Sequence, residues 1–147
     1  MDTELLARLI DRKREVLRQL QLLSQRQQQM VCHGEMSLLI SVLAAKQRLL
    51  HDLQAIEREL QPYRGQDPES RCWKSAAERG RVRAVAAECE SVLADIMQLE
   101  RRCEQELLVR RDAAAAQLHG AHGATQAALA YAAPAAPVTQ LDVSSET

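Results

Sequence analysis

Apolar residues near the start of the chain recur every three or four positions, which is the spacing of one face of an α-helix. Between Thr3 and Val31 this stripe consists of Leu6, Leu9, Val16, Leu20, Leu23 and Met30. Lys13 and Gln27 interrupt it, which favours a helix that buries a broad mixed face over a pure leucine-zipper seam. The pattern predicts a first helix over residues 3–31.

Two connections follow from the turn-forming residues. Gly34 can adopt the left-handed conformation that ends a helix, and Glu35 suits the first turn of the next one. A second stripe predicts a helix over residues 35–61, with Met36, Leu39, Leu43, Leu50, Leu53 and Leu60 on one side. A link this short implies that the two helices pack antiparallel. Pro62, Gly65 and Pro68 then mark a loop.

A third and longer stripe predicts a helix over residues 69–118, which we expect to be capped by Asp67. Its apolar positions are Val82, Val85, Cys89, Val92, Ile96, Leu99, Cys103 and Leu107. Residues 119–147 are rich in alanine, contain Gly120, Gly123, Pro134 and Pro137, and have no Lys or Arg. This composition is typical of a disordered tail, in which a transient helix around residues 125–133 is the one structured alternative. The predicted fold is therefore all-α: a coiled-coil-like antiparallel three-helix bundle over residues 1–118, with an extended third helix and a disordered tail.

The unequal helix lengths predict a binding surface. At 1.5 Å per residue the third helix is about 75 Å long and its two partners are each about 40 Å long. If the third helix packs back along the first two, its residue Met97 lies at the same level as Gly34. The residues beyond Met97 then extend past the other two helices as an overhang. The alternative is a bend at Gly80 that folds the helix back. Exposed apolar stripes usually mark an interface, so the candidate binding residues are Ile96, Leu99, Cys103, Leu107, Ala114 and Leu118.

Composition narrows the classes of function. The chain has no Phe, and only Trp73, Tyr63 and Tyr131 are aromatic, which favours an elongated bundle filled by aliphatic side chains. Lys and Arg number 19 against 20 Asp and Glu, with both signs interspersed, so no nucleic-acid partner is expected. No apolar run approaches the roughly 20 residues that span a bilayer, and the first residues do not resemble a secretory signal. We therefore expect a cytoplasmic protein with no membrane insertion.

The sequence predicts neither catalysis nor a cofactor. Cys32 and His33 lack the further ligands at suitable spacing that a structural zinc requires. No grouping of Ser, His and Asp, no glycine-rich phosphate loop and no nucleophile elbow is present. Cys89 and Cys103 stand two heptads apart on the third stripe and are expected to be small core residues.

The order of these elements resembles the FlgN-like flagellar export chaperones over about residues 4–118. The similarity rests on the leucine-rich first helix, the turn Gly34-Glu35-Met36-Ser37-Leu38-Leu39, the segment Lys46-Gln47-Arg48-Leu49-Leu50 in the second helix, and the long third helix with its tail. The resemblance implies a cytoplasmic chaperone that holds C-terminal helices of hook-filament junction proteins before type III secretion. It places client binding at about Ile96–Leu118 and docking to the export gate at Tyr131.

Two alternatives use the same residues differently. The overhang would also suit a structural coiled coil, in which the chain forms a homodimer and holds no client. A basic helical hairpin that contacts nucleic acid is a weaker alternative, because Glu78, Glu88 and Glu90 lie among the arginines of the third helix.

Overall fold

The computed structural model describes residues 2–132, and this part of the chain is built from helices. α1 spans Thr3–His33, α2 spans Leu39–Arg64 and α3 spans Ala76–Ala132, with a short 3-10 turn at Pro68–Ser70. No strand occurs within residues 2–132. The prediction of an all-α fold with three helices is confirmed.

The ends of α1 are fixed by local hydrogen bonds. The Asp2 carboxylate accepts hydrogen bonds from the backbone N–H groups of Glu4 and Leu5 at 2.9 and 3.2 Å, which caps the first turn. Gly34 closes the helix in the left-handed conformation, with φ of 73°. The role predicted for Gly34 is confirmed.

α2 begins and ends later than its pattern predicts. The residues from Glu35 to Leu38 connect α1 to α2, so α2 starts at Leu39 and not at position 35. It then continues through Pro62 to Arg64, although a proline has no backbone N–H for the helical hydrogen bond. Pro62 lies in the last turn, where losing one bond does not prevent two further residues from keeping helical geometry.

The predicted start of α3 at position 69 is wrong. Asp67 does accept a hydrogen bond from the backbone N–H of Glu69 at 3.1 Å, but it caps only the 3-10 turn. α3 starts at Ala76, where the Ser75 hydroxyl accepts a hydrogen bond from the backbone N–H of Glu78 at 3.1 Å. Ser75 and Glu78 have the spacing of a capping box.

The predicted end of α3 at position 118 is also wrong, because the helix continues to Ala132. Alanine is the strongest helix former, whereas Gly120 and Gly123 each cost only about 1 kcal/mol relative to alanine. Residues 119–132 of the expected tail are therefore helical. The remainder of that predicted tail, residues 133–147, lies outside the described residues.

Internal contacts divide the chain into two compact units, with the boundary between Leu107 and Leu108. The first unit has a hydrophobic core to which all three helices contribute. Its buried members are Leu6, Leu9, Val16, Leu17, Leu20, Ile56, Leu60, Tyr63, Val85, Cys89, Val92 and Ile96. Tyr63 is the only aromatic residue among them, so aliphatic side chains and one thiol fill most of this core.

As residue numbers rise along α1, the residues of α2 that they contact fall in number. The Tyr63 hydroxyl donates to the backbone carbonyl of Asp2 at 3.2 Å, and Lys13 forms an ion pair with Glu57 at 2.7 Å. Farther along α1, the side chain of Gln27 accepts a hydrogen bond from Lys46 at 2.5 Å.

As residue numbers rise along α1, the residues of α3 that they contact also rise in number. Arg81 pairs with Asp11 at 3.0 Å. The Gln21 amide donates to Asp95 at 2.6 Å, and the Ser24 hydroxyl donates to Glu100 at 3.0 Å. Each pair joins residues 70 to 76 positions apart in the chain.

A polar cluster crosses the interior of the first unit. Lys46 of α2 donates to the side chains of Gln27 and Glu100, and Glu100 also accepts from Ser24. Lys46, Gln27 and Ser24 are all buried. A buried ammonium group requires such acceptors, because losing its water without replacement is costly.

Removing the acid from this cluster should destabilise the protein more than removing the base. Glu100→Ala leaves the buried Lys46 with Gln27 as its one remaining acceptor, which costs roughly 1–3 kcal/mol. Lys46→Met leaves Glu100 half-exposed and still bonded to Ser24, so it should change stability by less than about 1 kcal/mol. The measurement is the free energy of unfolding in urea, with the double variant expected to match Lys46→Met. Equal losses for the two single variants would contradict this account.

Candidate functional site

The second unit contains the one long helical surface of the described residues that no other element covers. Every residue from Arg111 to Ala132 is exposed. Ala114, Leu118, Ala121 and Leu129 lie on one side of this helix, because their spacings are close to whole turns of 3.6 residues. We call these four residues the apolar face. Leu118 is 72% exposed and Leu129 is 64% exposed.

The apolar face lies in a segment without formal charge. Between Ala113 and Ala132 there is no Asp, Glu, Lys or Arg, and alanine is the most frequent residue. Small side chains allow another helix to approach closely, and the absence of charges removes electrostatic selection among partners. This segment therefore suits contact with an apolar helix.

Three of the residues predicted to bind a partner are buried in the first unit. Ile96 is 8% exposed, Leu99 is 7% exposed and Cys103 is 2% exposed. The expectation that the overhang begins near Met97 is therefore wrong. Because α3 starts at Ala76 and not at 69, its packed section ends about two turns later than predicted, at Cys103.

The other predicted residues are exposed. Leu107, the last residue of the first unit, is 38% exposed. Ala114 and Leu118 belong to the apolar face of the second unit. Tyr131 is 93% exposed in the last turn of α3, so its phenol is accessible. Its predicted role in docking to the export gate stays a prediction.

Sequence reasoning missed Ala121 and Leu129. Both lie within residues 119–147, which the sequence analysis assigns to a disordered tail. The signal was the high alanine content of residues 113–132, which predicts helix more strongly than two isolated glycines oppose it.

The four thiols occupy two kinds of environment. Cys32 and Cys72 are exposed, whereas Cys89 and Cys103 are buried. Burial raises the pKa of the Cys89 thiol, and burial together with the nearby Glu100 raises the pKa of Cys103. Since the thiolate is the reactive form, both buried thiols should react slowly.

Neither a metal site nor a membrane span is found in the described part of the chain. Within residues 2–132 no three His, Cys, Asp or Glu side chains are grouped so that they could hold a metal ion. No helix in that range combines the length and the apolar character needed to cross a bilayer.

Comparisons with known proteins do not place the chain in a family. No family model matches it, and neither the curated proteins nor the solved structures contain a match.

Thiol labelling should reveal where the packed section of α3 ends. We expect maleimide to modify Cys32 and Cys72 at neutral pH at least about tenfold faster than Cys89 and Cys103, because the latter are buried and have raised pKa values. Mass spectrometry of the labelled peptides measures each rate, and labelling in urea is the control in which all four should react alike. Fast modification of Cys103 in the folded protein would show that the exposed part of α3 begins before it.

Proposed function

We propose that the protein is a cytoplasmic export chaperone similar to FlgN, which binds C-terminal helices of flagellar hook-filament junction proteins before type III secretion. The observation that supports this most directly is the exposed apolar face of the second unit. Such a face on a helix can take the place of the partner helix that the client will meet on assembly. The order of turns and helices that resembles the family supplies the identity of the client.

The framework proposed for this activity is an antiparallel three-helix bundle. The opposite order of contacts between α1 and α2 supports an antiparallel pair. The matching order between α1 and α3 supports a third helix that runs in the same direction as the first. The bundle fixes the position of α3 relative to α1 and α2. The client helix pairs with the part of α3 that belongs to the second unit.

The size of the apolar face suits a temporary complex. Complete burial of Leu118 and Leu129 contributes about 3–6 kcal/mol, and the alanines add smaller amounts. Association itself costs about 4 kcal/mol or more. The net binding is weak, which agrees with a chaperone that must release its client at the export machinery.

Tyr131 is proposed to dock at the export gate. Its exposed ring lies two residues after Leu129, which places it on a different side of the helix from the apolar face. A client on that face would therefore leave the phenol accessible, so the two contacts are compatible.

The same face also supports the alternative function, a structural coiled coil that forms a homodimer. Two copies of an uncharged Ala- and Leu-containing helix can pair as readily as one copy and a client. This alternative predicts self-association without any client.

Replacing the two leucines of the apolar face separates these possibilities. We expect Leu118→Gln combined with Leu129→Gln to weaken binding of junction-protein C-terminal peptides by at least about tenfold, because each buried leucine contributes about 1.5–3 kcal/mol. Glutamine preserves helix propensity. Titration calorimetry measures the affinity, and Ile40→Gln is the matched control because Ile40 is 81% exposed on α2.

Sedimentation of the same variants completes the test. Unchanged peptide affinity in the double variant would show that the apolar face is not the client site. A native dimer that becomes monomeric in the double variant, with no peptide bound by either protein, would favour the structural coiled coil.

A further inference from the structure

A recess in the first unit combines apolar walls with several arginines. It lies where the start of α1, the start of α3 and the connection between α2 and α3 meet, and its volume is about 190 Å³. Leu6, Val82 and Trp73 supply apolar walls, and Arg71, Arg79 and Arg83 also line it. No Asp or Glu is among its described lining residues. We call it the basic recess.

The arginines of the basic recess differ in how far they are neutralised. Arg79 forms an ion pair with Glu69 at 3.0 Å. Neither Arg71 nor Arg83 has a carboxylate partner among residues 2–132. Arg71 donates one hydrogen bond, to the backbone carbonyl of Tyr63 at 2.7 Å. Its Nε atom is shielded from solvent and has no acceptor in the described structure.

A buried guanidinium N–H without an acceptor is costly, and most such groups find a partner. Other cationic side chains close to the basic recess form ion pairs with carboxylates. Lys13 and Arg64, which line an adjoining recess, share Glu57. Burial of Glu57 opposes its ionisation, but the hydrogen bonds and charges of Lys13 and Arg64 outweigh this and lower its pKa. Among the arginines of the basic recess, Arg71 and Arg83 are therefore the two whose charge is not neutralised by an ion pair within residues 2–132.

The dimensions of the basic recess indicate what it can hold. Sites that enclose small molecules usually measure about 300–1,000 Å³, so 190 Å³ is too small to enclose a drug-sized ligand. It is large enough for one apolar side chain of a peptide. Guanidinium groups bind carboxylates through paired hydrogen bonds, so the arginines select a neighbouring acidic side chain.

We propose that the basic recess binds an acidic amphipathic segment of a partner protein. An apolar side chain of that segment contacts Leu6, Val82 and Trp73, and a carboxylate accepts hydrogen bonds from Arg71 and Arg83. Nucleic acid fits less well, because the recess is small and the apolar walls of Leu6, Val82 and Trp73 match an apolar side chain and not a phosphate backbone. This site belongs to the first unit and does not depend on client binding by the apolar face.

The single tryptophan of the chain, Trp73, reports on this site. The probe is a short amphipathic helical peptide in which Leu and Glu occupy neighbouring positions on successive turns. Its control is the same peptide with Gln in place of every Glu. We expect the Glu peptide to change the Trp73 emission in a saturable manner and the Gln peptide to bind at least about tenfold more weakly, since a charge-assisted hydrogen bond is lost.

Two arginine variants test which cations are responsible. Arg83→Gln should weaken the Glu peptide about tenfold without altering the fold, because Arg83 is exposed and has no partner within residues 2–132. Arg71→Gln should weaken it at least as much, with circular dichroism confirming that the helices persist. The matched control is Arg58→Gln combined with Arg102→Gln, two exposed arginines away from the recess that should leave the affinity unchanged.

Several results would overturn the proposal. One is equal binding of the Glu and Gln peptides, and another is no change in Trp73 emission at millimolar Glu peptide. A full effect of Arg58→Gln with Arg102→Gln would show general charge attraction. Displacement of the Glu peptide by inorganic phosphate at equal concentration would show a phosphate site instead of a peptide site. None of these results bears on the apolar face, whose test uses Leu118 and Leu129.

Discussion

The ammonium group of Lys46 connects all three helices at one level of the first unit. It donates to Gln27 on α1 and to Glu100 on α3, and Ser24 adds a second bond from α1 to the same carboxylate. Aliphatic contacts alone tolerate sliding by a turn, because one leucine can replace another at each level. A buried charge tolerates it less well, since a slip moves Gln27 and Glu100 away from the ammonium group. The cluster thus specifies the register of the helices, and this register determines which part of α3 is covered.

Glu100 lies close to the point at which α3 changes character. The buried positions of α3 end at Cys103, one turn later, and every residue from Arg111 to Ala132 is exposed. The chemistry of the helix changes over the same interval. Before it, the inward positions are Val, Ile, Leu and Cys; between Ala113 and Ala132, alanine is the most frequent residue and no Asp, Glu, Lys or Arg occurs. Alanine has little apolar area to bury per turn, so Leu118 and Leu129 supply most of the apolar area of this segment.

The sequence predicted much of the fold because the relevant signals are local. Gly34 ends α1 through its own conformation, and the apolar stripes identify the three helices. The start of α3 was misplaced because Asp67 and Pro68 form an equally good start signal for a 3-10 turn. Ser75, the capping residue, is followed three positions later by Glu78, and this spacing was present in the sequence. The resulting shift of seven residues made Ile96, Leu99 and Cys103 appear exposed.

The sites were harder to predict than the helices. Leu118 was identified because it continues a stripe, whereas the basic recess was not, since its lining residues come from α1, α3 and the connection before α3. No periodicity links Leu6, Arg71 and Arg83, and only the fold brings them together. Arginines that appear balanced along the sequence can be unpaired in space, as Arg71 and Arg83 are within residues 2–132.

The exposure of α3 after Asp112 has a consequence for how its backbone hydrogen bonds open. Amides in the first unit are protected by a shared core, so their slowest hydrogen exchange requires unfolding of the whole unit. Amides near Gly120 and Gly123 have no such protection, because even an added Cβ at either glycine would meet nothing within 4 Å. They exchange through local fraying, at a rate set by helix propensity alone. One continuous helix therefore contains two levels of local stability, and slowed exchange in its second half reports directly on occupancy by a partner.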